Sequence, residues 1–249
     1  MLVSTRELLR EPGPLPAFNF TTPEVCRAIV QACAQAQQPA ILQLSQSESE
    51  FLGLEVADAI GSYYISQVST PFSLHLDHQK TIGVVDWLLG HPTNFSSLML
   101  DVEDLTFEEG TKLLSKTRQR LPQAICLEGN FDPGQNLFDF LNGSQVDIVA
   151  PEKANFVETE VLAKLAKESP VPVAMHGGST KSQAEVRTLV KAGVKKFHFN
   201  TELRQAWSQA LRQAFRARPQ EIKPYLLLKE AEQAVYQVVL EKISWLKGT

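Results

Sequence analysis

"SSLMLDVEDLTFEEGTKLLSKTRQRL", residues 96–121, contains one complete structural unit. The apolar run around Leu98-Met99-Leu100 has the length of a strand buried on both faces. It ends on Asp101, and an acidic loop with Glu103 and Asp104 follows. Thr106 and Glu109 stand at capping-box spacing, where each side chain satisfies a backbone N–H of a first helical turn. A strand, a loop and a capped amphipathic helix, in that order, make the βα unit of a parallel sheet.

The unit recurs in both directions along the chain. Upstream lie "LPAFNF" (15–20), "PAILQLS" (39–45) and "FSLHLDH" (72–78); downstream lie "AICLEGN" (124–130), "VDIVAPE" (146–152), "VPVAMHG" (171–177) and "KKFHFNT" (195–201). Thr22-Pro23 suits a helix start. Ser182 and Glu185 repeat the capping box, and Gly193 closes that helix. Eight such units in 249 residues predict an α/β fold of the (β/α)8 TIM-barrel type. A doubly wound open sheet is the competing architecture. The count of eight, and a first run not followed by GxGxxG, favour the barrel. No linker or composition shift divides the chain, so residues 1–249 read as one domain. "EIKPYLLLKEAEQAVYQVVLEKISWLKG" adds a C-terminal helical extension, placed either on the barrel bottom or on a second subunit.

Bulk composition narrows the function. A net charge of -4 with scattered basic residues argues against a nucleic-acid partner. No apolar stretch approaches the roughly 20 residues of a membrane span. The N-terminus mixes both charge signs and lacks a signal-peptide pattern. The three cysteines, Cys26, Cys33 and Cys126, form no CxxC and read as buried thiols of a cytoplasmic protein.

A TIM barrel builds its active site at the C-terminal ends of its strands. Those ends carry Asn19, Ser45 and Ser47, Asp77-His78, Asp101, Glu128, Glu152-Lys153, His176-Gly177-Gly178-Ser179, and His198 with Asn200 and Thr201. Imidazoles and carboxylates at one mouth form a zinc-type ligand set. The glycine-serine turn after the seventh run, with Asn-Thr after the eighth, suits a phosphate, because glycine lets backbone N–H groups face an anion.

These pieces resemble the class II, metal-dependent fructose-bisphosphate and tagatose-bisphosphate aldolases. The matching segments are "PAFNF", "LHLDHQ", "SSLMLD" with "TFEEG", "MHGGS" and "GVKKFHFNTEL", between about Ser4 and Trp207. The resemblance implies a lyase that cleaves or forms a ketose phosphate through dihydroxyacetone phosphate. It implies Asp77 as catalytic acid/base, and His78 and His176 as ligands of Zn2+ or another divalent metal. Glu128 matches a glutamate near the metal. Gly177, Gly178, Ser179 and Thr201, with Asn19, His198 and Asn200, would contact the substrate and its phosphate. The substrate is then a small phosphorylated sugar, and the protein a homodimer or larger homo-oligomer. His75 reads as a packed, hydrogen-bonded structural histidine.

The chain departs from the family in three places. "VDIVAPEKANFVETEV" lacks the histidine that supplies a third zinc ligand after the sixth strand. The loop "EGNFDPGQNLFDF" is much reduced, and His198 stands where the family has a substrate-binding asparagine. The missing histidine admits two readings. Either Glu128, Glu152 or His198 completes the metal site, or the protein is a re-purposed barrel that binds a phosphorylated metabolite without zinc. Lys153 adds a third option, a Schiff-base nucleophile, against the plainer reading of an ion-paired surface lysine. Cys126 is either a thiolate ligand or a core thiol.

Overall fold

A computed structural model of the protein describes residues 1–151 and 157–248, with Ser179 described through its backbone alone. Glu152 and Lys153 therefore lie outside the described residues, as does the Ser179 side chain.

The eight apolar runs are eight parallel strands: β1 (Leu15–Asn19), β2 (Ala40–Leu44), β3 (Phe72–Gln79), β4 (Phe95–Leu100), β5 (Cys126–Phe131), β6 (Ile148–Pro151), β7 (Ala174–Met175) and β8 (Lys196–Phe199). Their order is β6-β5-β4-β3-β2-β1-β8-β7. A parallel bridge between Val149 and Val173 joins the two ends and closes the barrel. The helices are α1 (Thr5–Arg10), α2 (Pro23–Gln35), α3 (Gln46–Leu52), α4 (Leu54–Ser66), α5 (Gly83–Gly90) and α6 (Phe107–Arg120), then α7 (Leu137–Ser144), α8 (Thr159–Glu168), α9 (Gln183–Ala192), α10 (Thr201–Ala217) and α11 (Pro224–Lys247). Both predicted capping boxes form, at Thr106–Glu109 and Ser182–Glu185, and Gly193 closes α9 in the left-handed conformation.

Strand alternation divides the buried residues into two sets. Phe18, Leu42, Leu74, Leu98, Leu127, Val149, Met175 and Phe197 face outward into the main core beneath the helices. Inside the barrel the lower layers are closed by α1, whose Leu8 packs with Leu15, Ala17 and Ile41. Its Leu9 meets Met99, Cys126, Ile148, Ala150 and Ala174. Thr5 completes this plug, its hydroxyl 2.8 Å from that of Ser97 and 3.0 Å from that of Ser73. The long helix α11 does not close the barrel bottom; it packs along α2 and α10 on the flank.

Cys26, Cys33 and Cys126 are all buried free thiols. Burial raises the Cys126 thiol to about 11, which suits the core reading over the ligand reading.

Candidate functional site

The upper interior of the barrel is polar. Asn19, Gln43, His75, Asp77, Glu128, Lys196 and His198 are all buried and come from five strands. Buried polar groups need partners, and many of these supply one another, while Gln43 Oε1, His75 Nε2 and His198 Nε2 have no hydrogen-bond partner among the described residues. Lys196 Nζ lies 2.7 Å from Glu128 Oε2, with both side chains fully buried. The other Glu128 oxygen, Oε1, lies 2.9 Å from His176 Nε2. His198 Nδ1 is 2.9 Å from Gln43 Nε2 and 3.4 Å from Asp77 Oδ1. Gln43 Nε2 also donates to Asn19 Oδ1 at 2.8 Å. His75 is packed and bonded through Nδ1 to the Ser97 hydroxyl at 2.8 Å, as a structural histidine should be.

His78 reaches this cluster by a backbone device. Alternation sets its side chain opposite to His75 and Asp77. His78, however, has φ 47°, in the left-handed region, and the β3–β4 register shifts between Leu76 and Gln79. A non-glycine residue there is strained by about 1–3 kcal/mol, which the surrounding structure must outweigh. The result is that His78 Nε2 faces His176 Nδ1 at 2.9 Å. The rings lie nearly perpendicular, their centroids 4.8 Å apart. His78 Nδ1 is 3.5 Å from Asp101 Oδ2.

This pair is a test of whether the residues suit a metal. Each imidazole has a carboxylate at its far nitrogen, Asp101 behind His78 and Glu128 behind His176. A carboxylate holds the proton on the nitrogen it faces, which leaves the other nitrogen's lone pair for a cation. The two near nitrogens converge, as a shared cation requires. One oxygen of Asp77 and one nitrogen each of His176 and His198 also lie within 4.8 Å of one another. Imidazole with carboxylate is a donor set that suits zinc.

The electrostatics fix the charge states. Burial alone would raise the Asp77 carboxyl, but His198, protonated in the acidic range where Asp77 titrates, and His75 outweigh it and hold Asp77 well below the usual carboxylate range. Burial likewise pushes Glu128 upward, and Lys196 and His176 outweigh it, so Glu128 stays ionised. Burial, with His176 and Lys196 nearby, lowers His198, so its ring is neutral at pH 7.

The glycine turn after β7 sits beside the cluster. Gly177 has φ 67°, a conformation that favours glycine. A Cβ on Gly178 would stand 2.5 Å from the carbonyl oxygen of His198, so only glycine lets this turn approach β8. Asn200 caps α10, and Thr201 begins it. One cavity of about 320 Å³ joins Asn19, Asp77, His78, His176, Gly177, Gly178, His198, Asn200 and Thr201. Glu128 is bonded to His176 and Asp101 stands behind His78, while Lys80 pairs Asp104 on the surface.

Sequence reasoning passed over Lys196, Gln43, Glu48 and Arg204. Lys196 and His198 are two apart on a strand buried on both faces, so period two places Lys196 inside the barrel. Gln43 follows the same rule in "AILQLS". Glu48 closes a capping box with Ser45. Arg204 follows Thr201 by three, on the same face of a helix.

Comparison with known proteins agrees with the motifs. The family model "Fructose-bisphosphate aldolase class-II" matches residues 10–127 and 146–249. A sulfofructosephosphate aldolase of Alkalicoccus urumqiensis is 26% identical over 265 residues, covering 91% of this chain and 88% of that protein. Among solved structures, the YdjI aldolase of Escherichia coli K12 superposes with a TM-score of 0.87 at 23% identity, over 99% of this chain and 97% of that one. The fructose-bisphosphate aldolase of Campylobacter jejuni gives 0.82 at 17% identity, over 99% and 95%. At these identities the structural likenesses show the fold.

Proposed function

The chain belongs to the class-II fructose-bisphosphate aldolase family, and from that premise we propose that it is a metal-assisted aldehyde-lyase that cleaves or forms a ketose phosphate through dihydroxyacetone phosphate. The observation that carries this reading is the pair of imidazoles, His78 Nε2 and His176 Nδ1, converging at 2.9 Å with a carboxylate behind each. We assign His78 and His176 as the metal ligands. Asp77 and His198 each place a donor atom within 4.8 Å of one on His176. Glu128, saturated by Lys196 and His176, acts as the residue that orients His176.

A divalent ion at this place would polarise the ketone and take up the negative charge that develops on its oxygen. The remaining work belongs to the chain. Asp77 is ionised and buried, and it lines the same cavity as the two imidazoles. It accepts the hydroxyl proton of the carbon that becomes the aldehyde during cleavage, and returns it during condensation. Gln43 Nε2, 3.4 Å from Asp77 Oδ2, donates to that carboxylate and helps hold it in place. Backbone N–H groups at Gly177 and Gly178, with Ser179 and Thr201, grip the phosphate and orient the scissile bond. The substrate is a small phosphorylated sugar; names among the relatives include a bisphosphate and a sulfo-phosphate. The expected setting is cytoplasmic, and the expected assembly a homo-oligomer. No helix among the described residues is long and apolar enough to cross a membrane.

The test is metal content together with turnover. Protein purified without chelator should carry about one divalent ion per chain, and His78→Ala or His176→Ala should lose it. The wild type should release dihydroxyacetone phosphate from a ketose bisphosphate in a coupled assay. A wild type that takes up no zinc from excess, yet binds sugar phosphate, would favour the re-purposed barrel instead.

A further inference from the structure

Residues 146–161 contain no histidine, while β8 carries His198 where the family has an asparagine. His198 is buried, and its ring stacks on that of His176, with centroids 3.7 Å apart and planes tilted by 30°. It lines the same cavity as His78 and His176. One nitrogen of His198 lies within 4.8 Å of one on His176 and of an oxygen on Asp77.

A chain of hydrogen bonds fixes which His198 nitrogen carries the lone pair. The Glu48 carboxylate, paired with Arg204 at 2.5 Å, only accepts, so Asn19 turns its Nδ2 to it at 2.7 Å. Asn19 Oδ1 then faces Gln43, which meets it with Nε2 at 2.8 Å. The same Gln43 Nε2 lies 2.9 Å from His198 Nδ1. An amide nitrogen donates, so His198 Nδ1 accepts and the proton of the neutral ring sits on Nε2. That Nε2 lies 3.6 Å from Glu128 Oε1, the oxygen that holds His176 Nε2 at 2.9 Å. One carboxylate oxygen thus stands behind both rings, and Nδ1 is the lone-pair nitrogen of each.

Gln43 is also oversubscribed. Its amide has two protons for three acceptors: Asn19 Oδ1 at 2.8 Å, His198 Nδ1 at 2.9 Å and Asp77 Oδ2 at 3.4 Å. A cation on His198 Nδ1 would leave one proton for Asn19 and one for Asp77. The spacing suits a shared ion. Ligands on a tetrahedral zinc stand about 3.4 Å apart when each bond is about 2.0–2.1 Å. His78 Nε2 and His176 Nδ1 are 2.9 Å apart, and the His198 ring lies 3.7 Å from that of His176.

We infer that His198 Nδ1 is the third protein ligand of the divalent ion, with His78 and His176, and that it replaces from β8 the histidine missing after β6. The inference rests on the metal-assisted aldolase reading and completes its ligand set. Asp77 remains the proton carrier, and Glu128 becomes the positioning residue for two rings rather than one.

The experiment is zinc-edge X-ray absorption on the zinc-loaded protein, with zinc affinity measured by chelator competition. The wild type should show about three imidazoles on the ion, and His198→Asn, which installs the family's residue, about two. The variant should lose more affinity than the roughly tenfold to hundredfold that an outer partner of a ligand costs. His198→Asp, which keeps an anionic donor, should retain more affinity than His198→Asn. Two imidazoles in the wild type overturn the inference without recourse to a variant. An unchanged imidazole count and affinity in His198→Asn, with only KM raised, also overturns it, and places His198 against substrate while the aldolase reading stands. A wild type that takes up no zinc from excess overturns the inference and the metal-assisted reading together.

Discussion

Replacing Lys196 by methionine tests the electrostatic design of the barrel interior. Lys196 and Glu128 are both fully buried, 2.7 Å apart, and Glu128 is shared with His176 at 2.9 Å. Methionine keeps most of the side-chain volume and removes the cation. Glu128 is then a buried carboxylate facing mainly neutral imidazoles, a loss that costs about 3–5 kcal/mol when one member of a buried pair is removed. The pH dependence should reverse as well. In the wild type the Glu128 pKa is depressed, so its contribution is present above the unfolded value near about 4.3 and is lost as pH falls through the folded value. Without Lys196, burial dominates and the folded pKa rises above the unfolded one. Folding then takes up a proton, and the variant gains stability relative to wild type as pH is lowered from 8 toward 5. Urea titrations at both pH values give the two differences. Lys196→Met combined with Glu128→Met removes both charges and should be less destabilised than the sum of the single changes by about 2 kcal/mol or more. A cost below about 1 kcal/mol for Lys196→Met, together with additive behaviour in the double variant, would refute the reasoning.

Other outcomes follow from single observations. Burial, with help from Lys196, holds His75 at about 4 against an ordinary value of 6.5. The unfolded chain therefore binds a proton below about pH 6.5 that the folded chain refuses until about pH 4. His75 should remove about 3 kcal/mol of stability across that window, and His75→Gln should flatten this part of the urea-midpoint profile. Asp101→Asn weakens the grip on His78 and should lower zinc affinity roughly tenfold to hundredfold, read by chelator competition. Gly178→Ala drives a Cβ against the His198 carbonyl; it should cost about 1–3 kcal/mol by thermal melting and raise KM for the phosphorylated substrate.

Much of the architecture was legible because each strand is buried on both faces. That burial demands a mainly apolar run, and eight such runs are visible in one dimension. The plug α1 was not legible. "TRELLR" is only six residues long, and its apolar face acquires meaning only from the open barrel bottom that it fills. The candidate site divides in the same way. Asp77, His78 and His176 are marked by their chemistry at strand ends. Lys196, Gln43, Glu48 and Arg204 look ordinary until their partners are known. Those partners lie 68 residues away for Lys196 and 156 for Arg204.

The sequence by itself determined the βα repeat, the places of its caps and the type of donor at each strand end, because these depend on local periodicity and side-chain chemistry. Only the tertiary structure decided how the donors are aimed. The left-handed turn at His78, the carboxylate behind each imidazole and the anchoring of Arg204 arise where distant strands converge. A buried charge takes its ionisation and its direction from neighbours in space, and closing the ring of strands is what makes them neighbours.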